Sequence, residues 1–157
     1  MRIRIVLLAF IVAMGLAIGT NGMLAQPAED AAIEQIIRQM VDAYNKKDLA
    51  TFEKICDSNI LMIEQGTKFV GWADFRDNNL KMEWDMLSDG FSWNMGKIQV
   101  YSYGKDFAWA THEGSFKGKM KDGTQLQESM MESYIFQKKN GGWKLVHVHV
   151  SSRPMQK

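Results

Sequence analysis

The chain holds three histidines, His112, His147 and His149, and the carboxylates beside them decide which chemistry is open to it. Read as alternating strands, residues 105–137 set His112 directly across from Glu132 on one face. Tyr134 falls on the same face, between Ala110 and Val146. A carboxylate and an imidazole side by side on an otherwise apolar face can move a proton to or from a substrate, with the tyrosine hydroxyl stabilising developing negative charge. Burial raises the pKa of such a carboxyl, and a charged imidazole lowers it again. The same pair can equally be structural, two polar groups satisfying each other at the mouth or floor of a cavity. His147 and His149 project from one side of a single strand, with Glu113 expected two strands from His149 across Met131. Two imidazoles and a carboxylate could hold a divalent metal, but two ligands fall short of what zinc needs. A polar outer face or a wet subunit interface explains them better, and no metal is assigned. No Gly-rich phosphate loop precedes a helix, and there is no nucleophile elbow or CxxC motif. The methionines are scattered, which suits core or pocket filling, and no cofactor is implied.

These residues are positioned by strands in the second half of the chain. Segments near Phe91–Tyr103, Lys105–Gly118, Gln125–Gln137 and Trp143–Ser151 are rich in aromatic and β-branched residues and are separated by Gly-containing turns. Alternation divides them into two faces. One reads Ala108, Ala110, His112, Gly114, Phe116, then Met130, Glu132, Tyr134, Phe136, then Val146, Val148, Val150. This apolar set should face inward. The other reads Thr111, Glu113, Ser115, then Gln127, Ser129, Met131, Ser133, then His147, His149, Ser151, and should face solvent or a partner subunit. Lys121-Asp122-Gly123 and Lys139-Asn140-Gly141 both suit three-residue hairpin loops with Gly in the left-handed position. That choice pairs Met120 with Thr124 and Lys138 with Gly142, and so sets Glu132 opposite Val148.

The first half is helical. Pro27 suits a first helical turn, with Glu29 and Asp30 near the positive end of the helix dipole. Ile33, Ile36, Ile37, Met40, Val41 and Tyr44 follow as one apolar stripe. Asp48 caps a short second helix carrying Leu49, Phe52, Ile55 and Cys56; Cys56 reads as buried packing. A strand at Ile60–Glu64 turns at Gly66 into a return at Lys68–Val70. A third helix runs from about Trp72 to Leu87, with Trp72, Phe75, Met82 and Met86 on one side. Three helices followed by long antiparallel strands make an α+β arrangement with the helices on one face of the sheet.

Residues 1–25 stand apart. Arg2 and Arg4 precede an unbroken apolar or small run from Ile5 to Ile18, and Gly19-Thr20-Asn21-Gly22 follows. This is the layout of a secretory signal peptide, too short to span a bilayer comfortably. Cleavage fits after Gly22 or after Ala25, leaving residues 26–157 as one domain destined for the periplasm or secretion. With 19 basic and 18 acidic residues in all, removal of Arg2 and Arg4 leaves a slightly acidic chain. It lacks the basic stripe of a nucleic-acid binder. Its 46% hydrophobic and 11% aromatic content excludes intrinsic disorder, and no internal repeat marks a solenoid.

Phe52-Glu53-Lys54-Ile55-Cys56-Asp57 and the last-strand segment Gly142-Trp143-Lys144-Leu145-Val146-His147-Val148-His149-Val150-Ser151 resemble the association (hub) domain of calcium/calmodulin-dependent protein kinase II. They also resemble bacterial SnoaL-like proteins, and with the element order place the chain in the nuclear transport factor 2-like superfamily. The resemblance covers about Ala31 to Pro154. It implies a cone-shaped fold, three N-terminal helices packed in a strongly curved, mostly antiparallel sheet around a conical cavity. At the hub's arginine positions this chain has Gly114, Tyr134 and Val150, so carboxylate binding is not carried over. The implied wall of the cavity is Tyr44, Trp72, His112, Met130, Glu132, Tyr134 and Val148. Three functions follow as expectations. The first is binding of a small, largely apolar organic molecule in the cavity. The second is an isomerase, cyclase or lyase using His112 and Glu132, and the third is an oligomerisation scaffold without catalysis. A homodimer or larger homo-oligomer through the outer sheet face is expected, with no membrane contact after signal cleavage.

Overall fold

The computed structural model describes residues 25–155; the expected signal segment up to residue 24 lies outside them. Helix α1 spans Ala25–Asn45. Its expected stripe is the buried one, with Ile33, Ile37, Met40, Val41 and Tyr44 all in the core and Ile36 packed at its margin. Glu29 and Asp30 lie beyond the first turn and tie the helix to the sheet instead of serving its dipole. Glu29 accepts from Lys138 Nζ at 2.7 Å and from Trp143 Nε1 at 2.6 Å, and Asp30 accepts from Ser102 Oγ. Helix α2 (Leu49–Ile55) starts on Asp48, which accepts from the Thr51 backbone N–H at 3.2 Å and its hydroxyl at 2.6 Å. Cys56 is buried, as expected, but it opens strand β1 (Cys56–Glu64) and does not extend the helix. Burial pushes its thiol pKa up to about 12, which makes it inert packing.

Strand β2 (Thr67–Val70) returns along β1. Then α3 (Trp72–Phe75), a π-helical turn at Arg76–Leu80 and α4 (Lys81–Met86) run on as one helical segment. The π turn corrects the expected face. A π turn adds a residue to the 3.6-residue repeat and so rotates everything after it. Phe75 is followed inward by Asn79, Leu80, Trp84 and Leu87, while Met82 and Met86 are left 52% and 45% exposed.

Strands β3 (Ser92–Tyr103), β4 (Phe107–Lys119), β5 (Gln125–Lys139) and β6 (Gly142–Pro154) complete a six-stranded sheet in the order β2-β1-β6-β5-β4-β3. It is a mixed sheet, because β1 runs parallel to β6 while the other neighbours are antiparallel. It is also open, neither closed nor strongly curled. Its edge strands β2 and β3 stand at opposite ends of the order and do not pair. A barrel or closed cone needs its two edges to meet in register, and β2 offers only four residues. The cone-shaped fold implied by the family resemblance is therefore not formed, although the α+β class and the helix-covered inner face are.

The β4–β5 hairpin has the expected register. Met120 and Thr124 close a loop in which Gly123 has φ +98°, and His112 lies opposite Glu132. The β5–β6 hairpin does not. Asn140 (φ +51°) and Gly141 (φ +80°) form a two-residue loop between Lys139 and Gly142, the geometry of a type I′ turn. Alone, such a turn would put the wrong face of β6 inward. A bulge opposite Ile135/Phe136 takes up Val146 and restores the faces. Leu145, Val148 and Val150 are buried and Val146 is only partly so. Glu132 consequently pairs with Val150, and Tyr134 with Val148. Gly141→Ala forces a side chain into the left-handed region and should destabilise the fold by about 1–2 kcal/mol. Gly142→Ala, whose new Cβ would come no nearer than 4.0 Å to Lys139 O, should change little; urea unfolding of the two variants gives the comparison.

Candidate functional site

Alternation on β4 and β5 turns His112 and Glu132 inward, and both are essentially inaccessible, at 0% and 1% exposure. His112 Nδ1 lies 3.1 Å from Glu132 Oε2, and the Tyr134 hydroxyl donates to the same oxygen. Tyr134 is thus committed to Glu132 and is not free to meet developing charge on a substrate. Glu132 Oε1 and His112 Nε2 are buried without a hydrogen-bond partner. Desolvation raises the Glu132 pKa, and the bonds from His112 and Tyr134 only partly offset it. Room for the imidazole comes from Gly114, where an added Cβ would lie 3.1 Å from His112 Cε1 and 2.9 Å from Asn94 O. Trp93 covers the ring from β3, with centroids 5.9 Å apart.

An open cleft of about 360 Å³ lies between this face and the helices. Tyr44, Met130, Glu132, Tyr134 and Val148 line it as expected, whereas Trp72 and His112 do not. Trp72 packs on Phe75, ring centroids 6.0 Å apart, and His112 lies behind two lining residues, Glu132 and Trp93. The expectation of a small apolar molecule bound in a conical cavity is corrected. No closed cone is formed, and beside the open cleft lies the buried His112–Glu132 pair.

A second polar group lines the cleft, built on Glu64, which lies in the same sheet row as Glu132 with Val150 between them. Asn79 Nδ2 donates to Glu64 Oε2 at 2.7 Å and to Glu83 Oε1 at 2.9 Å, and the Tyr44 hydroxyl donates to Glu83 Oε2 at 2.9 Å. Burial, the charge of Glu64 and a hydrogen bond to Glu64 hold the Glu83 carboxyl well above the usual carboxylate range. A straight helix would send Glu83 away from the core; the π turn brings it in. A polar residue four positions before a glutamate, in a helix otherwise read as amphipathic, was the available signal.

On the outer face His149 is exposed opposite Ser133, and His147 is half-buried opposite Ile135. Desolvation and the neighbouring His149 lower the His147 pKa. The shifted β6 register sets Met131 beside Ser151 rather than His149, so Glu113 is not in the row of His149. Among the described residues no three His, Cys, Asp or Glu come together to hold a metal ion, and no helix is long and apolar enough to cross a membrane.

A carboxyl with a raised folded pKa stabilises the fold fully below its unfolded pKa and loses that contribution as pH rises through the folded value. Glu83 and Glu132 both have this sign. Unfolding free energy should therefore fall as pH rises above the ordinary carboxylate range. Glu83→Gln should remove much of that fall, leaving the part due to Glu132, in urea titrations across a pH series.

No curated protein matches the sequence significantly. Solved structures share its fold. A nuclear transport factor 2-like superfamily protein from Salmonella enterica serovar Typhimurium has a TM-score of 0.74 at 20% identity, covering 83% of this chain and 94% of that one. Hexachlorocyclohexane dehydrochlorinase LinA-type3 from Novosphingobium barchaimii has a TM-score of 0.73 at 15% identity, covering 82% and 91%. The association domain of CaMKII from C. elegans has a TM-score of 0.64 at 24% identity, covering 81% and 98%. At these identities the likeness is one of fold, and no particular closeness to the kinase hub emerges. The SnoaL-like domain family matches residues 33–156, nearly all of the described chain, and this protein belongs to that family.

Proposed function

We propose that this chain is an enzyme of the isomerase, cyclase or lyase type in which Glu132, backed by His112, removes a proton from a carbon of a small organic substrate in the cleft. The observation that carries this reading is Glu132 itself. Its Oε2 is held by two partners while its Oε1, buried and unpartnered, belongs to a side chain of the cleft wall. A carboxylate of raised pKa in a water-poor site is a stronger base than one in water. Oε1 takes the proton, and the C–H electron pair moves into a new double bond. Delivery of that proton elsewhere on the carbon frame gives isomerisation; departure of a leaving group with its bonding pair gives elimination. His112 and Tyr134 act through Glu132 as positioning residues. The solved dehydrochlorinase of the same fold supports a reaction of this class without naming the substrate here.

Proton removal can be followed as deuterium wash-in from D₂O, or as elimination, across a panel of cyclic ketones and halogenated alkanes by NMR. Glu132→Gln should lower the rate by about 10²–10⁴-fold with circular dichroism unchanged; undiminished turnover in that variant would sink the enzyme reading. Because the Tyr134 bond lowers the Glu132 pKa, Tyr134→Phe should move the rising limb of the pH–rate profile to higher pH.

The proposal extends to location and assembly. Residues 1–25 are read as an export signal, which puts the domain in the periplasm or outside the cell. Self-association through the outer sheet face is supported by Met131, 51% exposed among the polar residues Ser133, Thr111, His147 and His149. Ser133→Glu should then lower the assembly mass in native mass spectrometry, and an unchanged mass would exclude this interface.

A further inference from the structure

The cleft carries an unusual charge pattern. Glu64, Glu83, Glu128 and Glu132 all line it, and among the described residues no lysine, arginine or histidine does. Buried carboxylates are costly unless paired, and the lining groups that donate to these are neutral: Asn79, Tyr44 and Tyr134. Asn79 clamps Glu64 and Glu83 together and Tyr44 closes the other side of Glu83. Beyond Val150 in the same sheet row, Glu132 Oε1 is left with no hydrogen-bond donor among the described residues, on a side chain only 1% exposed. The remaining wall is largely apolar and aromatic, with Tyr44 and Trp93 set edge-to-face, centroids 5.3 Å apart. Aromatic faces attract an organic cation, and the more so when it is desolvated.

Three kinds of ligand can be compared on these facts. An anion would enter a cleft already lined by four carboxylates. A neutral molecule brings no charge to offset those carboxylates. A bare metal ion finds no group of three ligands among the described residues. An ammonium group supplies what is missing: a positive charge and several N–H donors on an apolar body that the rest of the wall can cover.

We infer that the cleft selects an organic cation, a protonated amine whose ammonium group is bound by the Glu64 and Glu83 carboxyls. This rests on reading the cleft as the substrate site of the enzyme, and it names the substrate class: a small amine anchored at Glu64 and Glu83 with its reacting C–H directed to Glu132. Because the Glu83 carboxyl is held above the usual carboxylate range, a cation bound beside it should drive proton release. The titratable groups that share the cleft with Glu83 are Glu64 from β1, Tyr44 from α1, and Glu128 and Glu132 from β5. All carry zero or negative charge near neutral pH, so none competes with the ammonium as a cation.

The test is calorimetric titration of the purified protein near neutral pH with three probes of one shape: cyclohexylmethylamine, cyclohexylmethanol and cyclohexanecarboxylate. The amine should bind about tenfold or more tightly than the alcohol, and the carboxylate should bind more weakly than either. Repeating the amine titration in buffers of different ionisation enthalpy should reveal proton release on binding. Glu83→Gln should abolish that release and reduce affinity for the amine but not for the alcohol. Equal affinity for amine and alcohol, or preference for the carboxylate, in the wild-type protein overturns the inference without recourse to any variant. Selective amine binding without turnover of any activated C–H compound would leave the cation site standing and remove the enzyme reading. Turnover with no preference for amines would do the reverse.

Discussion

The burial of Glu132 is the constraint on which the rest of the structure turns. A carboxylate taken fully out of water is costly unless its oxygens are partnered, and two side chains converge on Glu132 Oε2 to offset that cost. Each is available only in one register. His112 reaches Glu132 because β4 and β5 pair through the Gly123 turn, and Tyr134 reaches it because inward residues on a strand recur every second position. A slip of one residue would bring Thr111 and Ser133 inward and expose the pair. The hairpin register and the site chemistry are one specification.

The neighbouring hairpin shows how that specification is protected. Asn140-Gly141 strongly favours a two-residue turn, which on its own would invert β6 relative to β5. The bulge at Val146 cancels the inversion within a few residues, so that Leu145, Val148 and Val150 are buried. Val150 then sits beside Glu132, and Val148 beside Tyr134. The apolar lining around the carboxylate, and hence its raised pKa, depends on a local irregularity several residues away.

Where signals were local, the sequence could be read directly. The stripe of α1, the Asp48 cap and the opposition of His112 to Glu132 each follow from spacing within one element or one turn. What escaped was set by competition between elements. Choosing a turn length for Lys139–Gly142 from face matching alone excluded the correct turn, because a bulge cannot be seen in strand alternation. The π turn at Arg76–Leu80 left a regular helical period as the natural reading, which put Met82 and Met86 inward and hid Asn79 and Glu83. The cone-shaped, strongly curved sheet was taken from family likeness, and the curvature of a sheet is a property of the whole that no segment encodes.

The open sheet and the π turn together explain why the cleft has two unlike walls. A sheet that does not close cannot surround a ligand by itself, so the second wall must come from the helical segment 72–86. Without Glu83 the cleft would keep the carboxylates of the sheet alone, Glu64, Glu128 and Glu132. The extra residue at Arg76–Leu80 sets Glu83 in the helical wall, where Asn79 and Tyr44 bind it beside Glu64. Turning a carboxyl inward is unfavourable for stability taken alone, because burial disfavours its charged form. The π insertion therefore does not serve the apolar core, and insertions of this kind recur at functional sites.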